Sequence, residues 1–246
     1  MDRHDEGVLP KSVKLLWNMD DPGTRGPKRG LSLDQIVDAA VAIGDAEGYA
    51  AISMGRIAKE LGFTPMSLYR YVDSKDTLIE ILHDRIIGPP PQLPPDAGWR
   101  ANLRAWAWAE FHAIQNREWW MDIPVTGPPL GPNNMDWLET GMAAVAALPI
   151  PEPQRLQLVT NLSFFVVGRA RFLRDTMRHV DDNVDYGAIL ATILDPARYP
   201  AVTSAVTNNA FEDDDMHWDE GDFDFALDRL LDGYEVYIDT YPNRKR

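Results

Sequence analysis

The 246-residue chain contains no cysteine, which removes disulfides, thiolate nucleophiles and thiolate metal sites, and fits a reducing compartment. It has no long apolar run either. The stretch from Leu162 to Gly168 is broken by Ser163 and is far shorter than the roughly 20 residues a membrane span needs, so no membrane partner is expected. The opening decapeptide MDRHDEGVLP is polar and acidic, whereas a secretory leader starts cationic and then turns apolar. Cytoplasm is the expected location. Strand-like alternation and internal repeats are also lacking, as are a phosphate-binding glycine loop, a nucleophile elbow and a paired-acid signature. Basic charge is scarce: the net charge is −14. That sum opposes nucleic-acid binding only if it is evenly spread, and it is not. Through Gly88 there are 11 Lys+Arg against 14 Asp+Glu, and beyond it 13 against 24. The acidity lies in the second part, which leaves room for a local face that meets phosphate.

What is present is helical punctuation. Ser32 with Gln35 forms a capping-box pattern ahead of Leu33, Ile36, Val37, Ala40 and Val41, and Gly48 supplies a stop. Ser53 starts a second helix, with Met54, Ile57, Ala58 and Leu61 inward and Gly62 at its end. Only two residues later Thr64 offers a cap and Pro65 a first helical position. Leu68 and Val72 are one turn apart and bury, which turns Ser67, Tyr69 and Arg70 outward. Ser74 caps a further helix that carries Lys75 at its start and Leu78, Ile79, Leu82 and Ile86 within. Two helices joined by a tight glycine-containing turn are the helix-turn-helix arrangement, whose second helix enters the major groove. An ordinary helical hairpin would show the same bare pattern.

The proline-rich stretch GPPPQLPPDAG at 88–98 marks a boundary. The chain therefore divides into an arm at 1–31, in which VKLLW could form a short docked turn, a helix-turn-helix domain at 32–87, a linker at 88–98, and a second domain at 99–246. In the second domain helices are expected at 99–115, about 135–148, about 153–179, near 185–194 and at 223–241. Several are apolar on more than one side, as the central helices of a bundle are. The fold class is all-α.

Residues 33–82, and above all SLYRYVDSKDTL, resemble the N-terminal domain of the tetracycline-repressor (TetR) family of regulators. GPPLGPNNMDWLETGMAAV and FDFALDRLLDGYE resemble more weakly the second domain of the tetracycline-repressor type. The resemblance implies a homodimer on palindromic double-stranded operator DNA that releases it when a small, largely hydrophobic effector binds. It assigns the groove-facing start of the recognition helix to Pro65, Met66 and Ser67, with Thr64 at its cap. Tyr69, Tyr71 and Lys75 would take phosphates, Arg70 base or phosphate, and Ser53 the backbone. Gly55 stands where relatives often place a guanine-reading arginine. Arg25, Lys28 and Arg29 could form an arm in an adjacent groove, as homeodomain arms do, or a plain solvated tail. The dimer would be a four-helix bundle from the 153–179 and 223–241 helices.

For the effector, Trp108, His112 and Gln115 share one helix face, and Asn161, Phe165, Arg169 and Phe172 share another; Trp106 and Trp120 complete the expected lining. Large aromatics also dominate ordinary cores. Tetracycline repressors bind a magnesium chelate, but nothing at metal-ligand spacing surrounds His112, so no metal and no cofactor is assigned. The acidic run 211–224, with His217, reads as a solvated loop before a helix. Catalysis through His112 or His179 lacks a motif and no enzyme is expected. A protein-interaction module, or a regulator that activates, is the remaining alternative.

Overall fold

A computed structural model describes residues 9–19, 30–124, 127–177, 185–211 and 220–241, which contain eleven α-helices and no strand. The expected arm cations Arg25, Lys28 and Arg29 lie outside these residues, as do His179 and His217. Two compact units result, one running to Ser163 and one from Phe164.

In the first unit, α1 (Lys11–Leu16) precedes α2 (Leu33–Glu47). Ser32 Oγ accepts the Gln35 N–H at 3.2 Å while the Gln35 side chain accepts the Ser32 N–H at 2.8 Å. The capping box is closed from both sides. Helix α3 (Met54–Leu61) starts on Ser53, which accepts the Arg56 N–H at 3.2 Å, and ends at Gly62. Gly62 has φ +72°, a left-handed geometry that favours glycine. Helix α4 is a single turn, Pro65–Leu68, shorter than the spacing of Leu68 and Val72 suggests. Tyr71 and Val72 N–H groups both donate to the Leu68 carbonyl, at 2.8 and 3.0 Å, so the chain tightens there before α5 (Lys75–Ile87) begins. Leu68, Val72, Leu78 and Leu82 are fully buried, with Ile36, Val37, Ile52 and Ile57. This is the small core that fixes α4.

Next come α6 (Gly98–Gln115), α7 (Pro132–Val145) and the start of α8 (Glu152–Met177). Helix α7 begins three residues earlier than the sequence pattern suggests, because Pro132 occupies its first turn where a missing N–H is harmless. Leu103, Ala107, Phe111 and Ile114 form the buried stripe of α6. Two 3-10 turns among the described residues, Tyr49–Ala51 with three residues and Glu118–Asp122 with five, escape the periodicity argument because so short a run carries no helical period.

The second unit contains the rest of α8, α9 (Tyr186–Ile193), α10 (Pro200–Thr207) and α11 (Glu220–Thr240). Phe165 stacks on Phe223 at 5.6 Å, and Phe223, Leu227 and Leu231 are fully buried. Helix α10 was not expected from the sequence; its Ala, Val, Ser and Thr give no apolar stripe to read. No helix among the described residues is long and apolar enough to cross a membrane.

Candidate nucleic-acid interface and its supports

Helix α4 and the turn after it put their apolar side chains inward and the others out. Met66 is 75% exposed and Tyr69 44%, while Leu68 and Val72 are at 0%. Arg70 and Lys75 are exposed and Ser67 and Tyr71 half-buried. Thr64 holds the N-cap position, but its hydroxyl meets that of Ser67 at 3.0 Å and makes no bond to a backbone N–H. Pro65 carries no N–H and the Ser67 N–H donates to the Thr64 carbonyl at 2.9 Å, so the turn closes through its own backbone. Lys75 lies over the Tyr49 ring at 5.4 Å, so its ammonium is aimed by an aromatic face at the start of α5. Ser53 is exposed and occupied as the α3 cap.

Arg56, one turn into α3, is held between Glu60 and Glu47 at 2.6 and 2.7 Å. Hydrogen bonds to Glu60 first, then Glu47, raise its pKa above the ordinary arginine value. A Cβ on the neighbouring Gly55 would meet nothing within 4 Å. No steric demand explains that glycine.

Three supports hold this reading head against its neighbours in the first unit, and of these the residue pattern suggests only that the VKLLW segment could dock. The first is Asp84 on α5, 2% exposed. Its carboxylate accepts backbone N–H groups of Asn133 and Asn134 at 3.3 and 2.9 Å, and their side-chain amides at 3.3 and 2.7 Å. An acid placed on the N-terminus of α7 is stabilised by the free N–H groups and by the helix dipole. A Cβ on Gly131 would sit 2.2 Å from that carboxylate, so glycine is required for the approach. Trp137 adds an indole N–H bond of 2.9 Å to the Gly88 carbonyl at the end of α5. The second support is Asp45 on α2, which accepts from Arg117 at 3.0 Å and from the Trp119 indole at 2.8 Å. In the third, α1 lies along α5: Ser12 donates to Glu80, and the Trp17 indole donates to the Leu130 carbonyl at 2.8 Å. A buried aspartate in the middle of LHDRII reads as a surface charge by pattern. The clue lay 50 residues away, in a proline-started helix with two asparagines and no acid in its first turn.

The expected effector residues are scattered by role. Trp106 is 2% exposed; it packs edge-on against Trp137 at 5.7 Å and donates to the Trp137 carbonyl at 3.0 Å. Trp120 is buried against His83 at 5.0 Å, and burial lowers the His83 pKa. Trp108 and His112 neighbour each other at 5.2 Å, with His112 and Gln115 exposed. Asn161 is exposed near the end of the first unit. In the second unit Arg169 pairs with Asp222 and lies over exposed Phe172 at 5.9 Å, beside half-buried Phe165. Among the described residues no group of three His, Cys, Asp or Glu could hold a metal ion.

The head matches, over residues 36–82, the profile described as "Bacterial regulatory proteins, tetR family", and residues 90–238 match "Tetracyclin repressor-like, C-terminal domain". The chain belongs to the TetR family. A relative in Streptomyces coeruleorubidus, the HTH-type transcriptional repressor DrrR1, is 34% identical over 94% of this chain and 87% of its own. Among solved TetR-family structures, Streptomyces coelicolor ActR in complex with actinorhodin superposes with a TM-score of 0.70 at 23% identity, covering 87% of this chain and 99% of that one. BioQ, known from Mycobacterium smegmatis, superposes in its complex with double-stranded operator DNA at a TM-score of 0.52 and 20% identity, covering 60% and 89%. As a TetR-family member the chain is a DNA-binding transcriptional regulator of all-α fold.

Proposed function

We propose that this protein is a repressor which binds a palindromic operator as a homodimer and lets go when a small, largely hydrophobic effector occupies its C-terminal domain. The observation that carries the reading is the outward row Met66, Ser67, Tyr69 and Arg70 on a turn whose inward Leu68 and Val72 are fully buried. Met66 suits a thymine methyl and Ser67 a base edge, while Tyr69, Tyr71 and Lys75 suit phosphate. Pro65 sets the start of the turn and Ser53 approaches the backbone from α3. In this reading residues 32–87 read DNA, and residues 99–246 hold effector and partner.

One such head makes few base contacts, so two are needed on half-sites about one helical turn apart. Phe164, Phe172, Phe225 and Val236, on α8 and α11, are 47–72% exposed in the single chain. Apolar side chains so displayed favour a self-complementary interface between two copies. The Asp84 and Asp45 bonds give the effector its lever. A guest that shifts α6 or α7 pulls on α5 and α2, and so changes the spacing of two recognition turns. By linkage the effector weakens operator binding by the same factor that operator weakens effector binding.

The test is a gel shift with DNA flanking the protein's own gene. A Tyr69→Ala, Lys75→Ala double variant should lose about tenfold or more in affinity, roughly 1.4 kcal/mol, on every sequence alike, and show a flatter salt dependence. Unchanged operator affinity in that variant refutes the docking.

A further inference from the structure

Among its described residues the first unit buries two acids and treats them differently. Asp84 has protein donors on both oxygens. Glu110 on α6, 7% exposed, has one: its Oε1 accepts from Ser163 Oγ of α8 at 2.6 Å, and no donor among the described residues reaches Oε2. Two turns earlier on the same helix, buried Asn102 gives its amide to the Pro94 carbonyl at 3.0 Å and leaves its own oxygen without a donor. Between them lies Trp106. A Cβ on Gly141 of α7 would come within 2.7 Å of Val159 and 3.4 Å of Trp106, so α6, α7 and α8 converge one turn from the Glu110 and Ser163 pair. Buried polar groups are almost always paired. Two unsatisfied acceptors on one helix face call for a guest that brings donors.

We propose that Glu110 anchors a protonated amine carried on an otherwise apolar effector. This deepens the effector reading above and rests on it. An amine is favoured over a neutral hydroxyl because a buried carboxylate needs a counter-charge, and because the residues beyond Gly88, at 13 Lys+Arg against 24 Asp+Glu, draw cations toward that half of the chain. The apolar remainder would lie along Trp106, Phe111 and Ile114, all buried.

Binding is then linked to protons. Burial raises the Glu110 pKa to about 7 against a smaller opposing pull from the Ser163 hydroxyl. Other titratable groups on the helices around it are placed differently. His112 is exposed on its own helix, Asp136 and Glu139 of α7 are exposed, and His83 of α5 packs on Trp120. Below pH 7 the amine must displace a proton from Glu110; above it the carboxylate is ready.

The experiment uses the full chain and three probes, 1-pyrenemethylamine, 1-pyrenemethanol and 1-pyrenecarboxylate, read by tryptophan-to-pyrene energy transfer. At pH 8 the amine should bind at least about tenfold tighter than the alcohol, with the carboxylate weakest. Its affinity should fall about tenfold between pH 8 and pH 6, as the ionised fraction of a group titrating near 7 does. Glu110→Gln should erase both the preference and the pH slope. Equal affinities for amine and alcohol, or a preference that survives Glu110→Gln, overturn the proposal. The wild-type pH slope needs no variant, so a misfolded Glu110→Gln leaves it open to refutation. Failure of all three probes to bind also overturns it, and operator binding by the same sample then shows whether the regulator reading stands.

Discussion

The reading head and the α9–α10 hairpin both contain short helices, yet one closes its own core and the other does not. In the head, α3 has eight residues and α4 four, and Ile36, Ile52, Ile57, Leu68 and Val72 are fully shielded. In the hairpin, α9 and α10 have eight residues each, and Tyr186, Ile189, Ile193, Tyr199 and Val202 are 38–67% exposed. Capping accounts for little of this, since Asp185 caps α9 properly at 2.8 Å. The difference lies in how many elements converge. Helices α2, α3, α4 and α5 surround one small core, whereas α9 and α10 chiefly pack on each other. A short helix is stable where tertiary packing covers it from several sides. The head closes its core within one chain, and the C-terminal unit displays apolar surface, the feature on which the proposed dimer rests.

That contrast can be broken at its strongest point. Phe164→Asp with Phe225→Asp places two charges on the exposed apolar faces of α8 and α11 and should raise the dimer dissociation constant by a hundredfold or more, about 2.7 kcal/mol or above. The far-ultraviolet helix signal should stay intact. Sedimentation equilibrium decides it, and a variant that remains as dimeric as the wild type sinks the assignment of this face. The head is tested by Asp84→Ala, which strips four donors at the start of α7 of their acceptor. Leaving buried N–H groups unpaired costs about 1–3 kcal/mol, so a loss of about 3 kcal/mol in denaturant unfolding is expected, with a smaller loss for Asp84→Asn. A variant within experimental error of wild type would mean that α5 and α7 are held by packing alone.

How much could be read from the residues follows the same divide. Ser32, Ser53, Ser74 and Gly62 act within three or four residues of themselves, and their effects were legible because a cap needs only its own turn. Most of the buried positions of α3 and α5 followed from helical period, although Leu61 is half-buried and Ile81, Asp84 and Ile87 are buried as well. What the residues alone did not yield are the pairings at long range: Asp84 with Asn133 and Asn134, Asp45 with Trp119, Ser12 with Glu80 and Glu110 with Ser163. Each joins a polar residue to a partner more than 45 positions away. Pattern reasoning assigns a charged residue to solvent unless its partner is visible, so these acids were invisible by construction. Trp106 shows the same limit. Its residue type marks it as a large apolar contact, but that its indole donates to the Trp137 carbonyl inside the bundle is a long-range pairing no local pattern shows.

The smallest expected effect sharpens the comparison, because it separates what α3 needs for folding from what it offers to DNA. Gly55 is at the second position of α3, exposed, with no atom within 4 Å of where a Cβ would stand. Glycine in a helix costs about 0.5–1 kcal/mol relative to alanine, and a first-turn position falls at the low end because its N–H has no helical partner to lose. Gly55→Ala should therefore raise stability by about 0.5 kcal/mol, measurable as a shift of the denaturant midpoint at unchanged slope. Operator affinity gives the second reading. If the exposed backbone at Gly55 lets DNA approach more closely than a methyl would allow, Gly55→Ala stabilises the fold and weakens the operator complex together. If both rise or only stability changes, the glycine is not a contact, and Gly55→Arg becomes the informative substitution, since a guanidinium there would reach base edges and shift half-site preference toward guanine.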